Sequence, residues 1–249
     1  MEYLKLFAKE THFQSAELDL TDPTVALIDE NDKIYIRPRC SLRLVFNIQN
    51  SVNQSIPICN GVHGGSGFRV ISMSVDGVIL PEPTTNYTFA TIGRHIVRLT
   101  LEYSPSSSDT IFQILDNVTD NYELFEVKFE NTYTFGYNKL ELSDMSLYNG
   151  VSMPKVKIIN MKDCPFNYNG MTNGYFLLYT SVFPNLEVLV LPKNMGTTSF
   201  SSFGGMESFT GKVFYPIEGD YSNYINSRIQ SIFPNAEKTA YDKDGELLD

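Results

Sequence analysis

Tryptophan is missing from this chain of 249 residues, and histidine and cysteine occur only three times each. The cysteines, Cys40, Cys59 and Cys164, are odd in number and form no CxxC pair. That excludes a disulfide framework and a zinc ribbon, and predicts small core residues in a reducing compartment. No 18 consecutive residues are apolar, so no membrane-crossing helix is predicted. The opening MEYLKLFAKETHF carries Glu2 and Lys5 and lacks an apolar stretch of signal length. The expectation is synthesis in a bacterial cytoplasm, with a surface destination reached by lysis, by assembly into a particle, or through a leader. Basic charge is also scarce: 19 Lys and Arg against 29 Asp and Glu leave a net charge of −10. Such a field repels phosphate backbones and anionic bilayers, so neither a nucleic-acid partner nor membrane insertion is expected. The densest basic group, Arg37, Arg39 and Arg43, is interleaved with Cys40 and Leu42 and reads as the solvated face of a strand.

Catalytic signatures are equally sparse. The stretch Cys59–Gly67 contains His63-Gly-Gly, which in esterases can form an oxyanion hole, but the G-x-S-x-G nucleophile elbow is missing. Cys59 and His63 lie four apart, yet the glycines around them disfavour a helix and no second pair completes a metal shell. The phosphate loop G-x-x-x-x-G-K-[ST] is absent as well. A glycine-rich surface loop is the better reading, and such a loop on a rigid scaffold can touch a partner. Asp116–Asn121 and Asp242–Glu246 have the composition of Asx turns. His12, His63 and His95 have no aligned nucleophile beside them. No catalytic, metal or cofactor-binding residue is assigned, and the chain is expected not to be an enzyme.

What the sequence has is β-forming residues. Aromatics make up 13%, with 15 Tyr and 17 Phe, and Val, Ile and Thr are abundant. Residues 1–38 read as an N-terminal extended arm containing a hairpin candidate, Val25–Ile28 and Lys33–Arg37, joined by the turn Asp29–Asp32. From 39 to 115, apolar and polar residues alternate in Leu42–Ile48, Phe68–Met73, Tyr87–Phe89 and His95–Leu101, the pattern of a small Ig-like β-sandwich. In the last of these, Val97, Leu99 and Leu101 take one face, and Ile96, Arg98, Thr100 and Glu102 the other. The Ser/Pro segment Tyr103–Asp109 suggests a boundary between Ser104 and Asn121.

Residues 121–249 hold shorter strands at irregular intervals. Aligning Leu140/Leu142, Val156/Ile158, Leu186/Val188 and Val213/Tyr215 gives spacings of 16, 30 and 27 residues, the last two near one leucine-rich repeat. Tyr221, Tyr224, Ile225, Ile229 and Ile232 follow a helical period, predicting an amphipathic helix that stops at Pro234 and caps the stack.

Several segments resemble a known family. Val75-Asp-Gly-Val78, Tyr87-Thr-Phe89 and the alternation Gly93, His95, Val97, Leu99 are similar to a pattern preceding BspA-like leucine-rich repeats in Ig-like β proteins of Bacteroidales bacteria and their crAss-like phages. Phe183–Pro192 and Gly211–Pro216 resemble that family's repeats and closing strand, and Pro23–Tyr35 its N-terminal segment. The repeat spacing departs from the family, and the usual A-F-x-x-C segment survives only as Cys164-Pro-Phe166, so a second β-sandwich or an irregular β domain stays open. The resemblance implies an architectural or adhesive role: a virion component such as a head fibre or capsid-decorating protein, or a bacterial surface adhesin or carbohydrate-binding module. Protein partners, capsid or other virion proteins among them, and a homo-oligomer are expected. Tyr35, His63, Tyr168 and Tyr175 are the candidate contact residues, chosen for the arm, the glycine-rich loop and the Tyr-rich segment Asn167–Phe176.

Overall fold

The computed structural model describes residues 39–59, 68–103, 123–133, 152–163, 183–191, 206–217 and 228–242, with Thr180 and six short strands outside those spans. In the arm, β1 (Tyr3–Leu4) pairs with β2 (Leu18–Asp19), and β3 (Ala26–Ile28) pairs antiparallel with β4 (Ile34–Ile36), the hairpin that the apolar runs predict. The remaining strands are β5 (Arg39–Ile48), β6 (Ser55–Pro57), β7 (Phe68–Val75), β8 (Val78–Ile79), β9 (Asn86–Thr88), β10 (Gly93–Tyr103), β11 (Phe112–Gln113), β12 (Leu124–Tyr133), β13 (Met145–Ser146), β14 (Ile158–Asn160), β15 (Val188–Val190), β16 (Lys212–Pro216) and β17 (Glu237–Tyr241). The protein is mainly β, and nine of these strands form one mixed sheet in the order β17-β16-β15-β14-β12-β5-β10-β7-β8.

One half of that sheet is antiparallel, with β5 at its centre between β10 and β12. Period-two alternation puts Leu42, Leu44, Phe46 and Ile48 of β5 on the core face with Val97, Leu99 and Leu101 of β10, all at most 1% exposed. The short antiparallel pair β6–β9 forms a separate two-stranded sheet. Its neighbour Phe89 packs against Phe46, with ring centroids 5.3 Å apart. Each such buried side chain contributes roughly 1.5–3 kcal/mol by leaving water.

The other half is parallel, and strand β12 belongs to both. It pairs antiparallel with β5 and parallel with β14, so the sheet continues without a break past the boundary expected before Asn121. Beyond β14 the register is a ladder. Val127, Ile159, Leu189 and Val213 stand in one row, each at most 1% exposed. A turn precedes each strand of the ladder, closed by Val156 N–H to Met153 O, Leu186 N–H to Phe183 O, Phe209 N–H to Met206 O, and Ala236 N–H to Phe233 O.

Two expectations need correction. Val188 pairs with Lys212, not with Tyr215, because the residue that closes the third turn as Leu186 closes the second is Phe209, not the Val213 with which apolar pairing aligns Leu186. The described part of the C-terminal helix, 228–232, does not close the sheet. It leads through Phe233-Pro-Asn-Ala236 into β17, which pairs parallel with β16. Pro234 ends the helix by forming the next turn. The strand predicted at Lys139–Leu142, and the glycine-rich loop past Cys59, lie outside the described residues.

Candidate functional site

A polar cluster close to exposed apolar residues lies where two turns meet. Val75-Asp76-Gly77-Val78 is a two-residue hairpin, and the positive φ of Asp76 (50°) and Gly77 (83°) is what such a turn requires. Asp76 Oδ1 accepts the Ile96 N–H at 2.8 Å, and Oδ2 lies 2.7 Å from His95 Nδ1. On the far side of the ring, Nε2 is 3.0 Å from the Thr91 carbonyl and 3.3 Å from the Thr91 hydroxyl. His95 is thus a clamp between two turns, stacked on Phe89 at 4.8 Å. Burial pushes the Asp76 carboxyl up, but the His95 hydrogen bond, the Ile96 N–H and the His95 charge outweigh it and hold its pKa below the ordinary value.

The order carboxylate, imidazole, hydroxyl is that of a hydrolase relay. Here the ring's shorter contact is to a carbonyl, which a general base does not need and a structural tie does. What the clamp holds in place is apolar. Val78, Ile79 and Ile92 are 67%, 72% and 70% exposed, and they are the exposed large hydrophobic residues among those described. Val78 and Ile79 form β8, which leaves the Asp76-Gly77 turn, and Ile92 lies in the turn before β10, so all three adjoin the region that His95 joins.

A second polar cluster ties the two halves of the sheet together. The Glu123 side chain has no solvent exposure and precedes β12. Its Oε2 accepts N–H groups from Gln49 at 2.8 Å and Ser51 at 3.3 Å, and its Oε1 accepts the Asn50 N–H at 2.9 Å. Lys155, in the turn before β14, adds its Nζ at 3.4 Å. Burial would raise the Glu123 pKa, yet the three N–H groups and the lysine charge prevail and lower it.

Across the sheet face opposite the core, Arg98, Arg43 and Lys128 share one row. Three cations side by side would repel; Glu130 lies within 3.4 Å of each, and Glu126 is 3.2 Å from Arg43. Arg43 is thus an ion-paired residue only 18% exposed and not the freely solvated one that the sequence reading expects, while the side chains of Arg37 and Arg39 lie outside the described residues. In the parallel half, Asn185 Nδ2 donates to the Pro154 carbonyl and Asn235 Nδ2 to the Glu207 carbonyl, both at 2.8 Å. Each asparagine occupies the third position of its turn and bonds the second position of the preceding one.

Of the four contact candidates, Tyr35 lies in β4, with its side chain outside the described residues, and His63, Tyr168 and Tyr175 are outside them entirely. Cys59 is buried, as the core reading of the cysteines predicts. Sequence reasoning placed His95 on its strand but missed its partners. The available signal was Asp76-Gly77 between two valines, a hairpin turn whose carboxylate must point somewhere. For Glu123 no local signal existed, because its backbone donors lie more than 70 residues away. Among the described residues no group of three or more His, Cys, Asp or Glu could hold a metal ion, and no helix is long and apolar enough to cross a membrane. The chain matches no protein-family model, no curated protein and no solved structure.

Proposed function

We propose that this chain is a non-catalytic structural and interaction protein that acts through assembly contacts, as a phage virion component of the head-fibre or capsid-decorating kind. In this reading the antiparallel half with its β6–β9 layer is an Ig-like β-sandwich, and the parallel half is a short, irregular leucine-rich-repeat-like array. The recurring turns Phe183-Pro-Asn-Leu186 and Phe233-Pro-Asn-Ala236, with their asparagine bonds to the preceding turn, support the second assignment.

The observation that carries the functional reading is the exposure of Val78 and Ile79 in β8 and of Ile92 before β10, beside the turns that His95 and Asp76 tie together. Branched aliphatics fixed in water have a cost that a monomer gains nothing from, and protein contact relieves it. Side-chain packing suits this surface better than strand addition. Leu80 N–H bonds inward to Met73, so residues 77, 79 and 81 present their amides to the open edge, and Pro81 has none to offer.

The alternative is a bacterial surface adhesin or carbohydrate- or protein-binding module, favoured by Ile158, Val188, Val190 and Phe214, half-buried on the sheet face opposite the core. Immunogold labelling with an antibody to the chain separates the two. Label on density-purified phage particles supports the virion role, and label on intact bacteria with bare particles replaces it with the adhesin. Within the virion role, Ile79→Asp with Ile92→Asp is expected to abolish incorporation while the protein stays folded, and full incorporation would remove the turn surface from the account.

A further inference from the structure

We infer that Glu123 is an acid-sensitive latch, whose protonation releases the 49–51 turn and the first turn of the parallel array from the end of β12. This goes beyond the assembly reading and does not depend on it. The geometry is that of a carboxylate site built from donors alone. Three consecutive backbone N–H groups, from Gln49, Asn50 and Ser51, converge on the two oxygens at 2.8, 2.9 and 3.3 Å, and Lys155 Nζ supplies a fourth donor. Each oxygen faces two donors. A proton on either one would point at an N–H or an ammonium group, so the neutral acid cannot satisfy the site that the anion fills. None of these four described donor groups can turn over to accept that proton, since backbone N–H groups and an ammonium have no lone pair to give.

The surroundings leave Glu123 as the group that titrates. The 49–51 turn contributes no ionisable side chain, and Asn47 of β5 contributes only its N–H, which bonds the Glu123 carbonyl at 2.8 Å. Lys155 is the charged group facing it from the array. Glu126, on the same strand, is engaged with Arg43 and Arg94 on the other side of the sheet. The Glu123 pKa lies below the ordinary 4.5, so the latch is fully closed above that value and opens as pH falls through the lower folded-state value. Opening reaches further than the carboxylate, because Asn53, at the end of the released turn, donates to the Phe89 carbonyl at 2.8 Å.

Amide hydrogen exchange on the full-length protein, between about pH 3 and about pH 7 and corrected for intrinsic rates, tests the latch. The amides of residues 49–51 are expected to lose protection by at least about tenfold at a midpoint below the ordinary carboxyl value, while the core amides of Val97 and Leu99 keep theirs. Glu123→Gln should show the unprotected pattern already near neutral pH. Lys155→Met, which leaves the carboxylate and the backbone donors in place, should move the midpoint upward and serves if the glutamine variant fails to fold. Protection at 49–51 that falls only together with Val97 and Leu99, or a Lys155→Met midpoint that does not rise, overturns the latch.

Discussion

Gly211→Ala is the smallest change expected to unseat the parallel half of the sheet. Gly211 has no positive φ to explain its choice; it is there because β16 approaches β15 too closely for a side chain. A Cβ at this position would fall inside the van der Waals shell of the Glu187 carbonyl oxygen and 2.5 Å from Phe209 Cζ. The first neighbour is backbone and already occupied, since that oxygen accepts the Lys212 N–H at 2.8 Å. The second is wedged in the core at 4% exposure, edge-on to Phe233. Neither can move aside cheaply. Relief requires β16 to withdraw, which strains two ladder bonds, Lys212 N–H to Glu187 O and Glu237 N–H to Gly211 O at 3.0 Å. About 1 kcal/mol for each bond and about 1–3 kcal/mol of overpacking sum to roughly 3–5 kcal/mol.

Urea unfolding followed by tyrosine emission measures this directly, because the chain has 15 Tyr and no Trp to mask them. Gly77→Ala is the matched control. Its Cβ meets nothing within 4 Å, so only the strain of φ +83° remains, worth about 1 kcal/mol. A loss below about 0.5 kcal/mol for Gly211→Ala, within the range of ordinary surface substitutions, would refute the close-approach argument.

Asn185→Ala and Asn235→Ala each remove one turn-to-turn hydrogen bond and are expected to cost about 0.5–1.5 kcal/mol in the same assay; two neutral substitutions would deny the asparagines their stacking role. Lys238→Val replaces a charge that stands in the row of Val127, Ile159, Leu189 and Val213, and light scattering should then find a larger mass at equal concentration than for the wild type; an unchanged mass would show that the lysine does not guard this edge. Stability should fall as pH drops below the ordinary carboxyl values, since Asp76 and Glu130 are both lowered and their contributions are lost when they protonate. Asp76→Asn should flatten part of that fall, and an identical pH profile would remove Asp76 from it.

How much of this was legible in the sequence depended on whether the signal was local. Alternation in Leu42–Ile48 and His95–Leu101 placed the core faces correctly, because a two-residue period is written into neighbouring positions. The parallel strands were harder, with only three residues each in β14 and β15, too few for a period to declare itself. There the better guide was the turn. Phe-Pro-Asn occurs at 183–185 and again at 233–235, and reading it as a unit predicts a strand at 237–241 that apolar pairing missed, since Lys238 breaks the apolar pattern. The clamp and the latch were out of reach for a different reason. Both join residues whose separation in sequence is set by the fold alone: Asp76 with His95, and Glu123 with the 49–51 turn.

The two ends of the nine-stranded sheet are handled by one logic, and the turn surface departs from it. At one end Pro81 withdraws the amide that would extend β8, and at the other Lys238 puts a charge where the preceding strands have an aliphatic. Each residue costs something locally and discourages sheet-to-sheet extension, the default hazard of an open edge. If selection acted only on solubility, Val78, Ile79 and Ile92 would be the easiest residues to make polar, as none is buried in the core. They instead remain apolar beside turns that the positive-φ residues Asp76, Gly77 and Gly93 and the buried His95 shape. An edge guarded against extension beside exposed apolar residues is the combination that the proposed assembly role calls for, with contacts that are side-chain packed and of limited number.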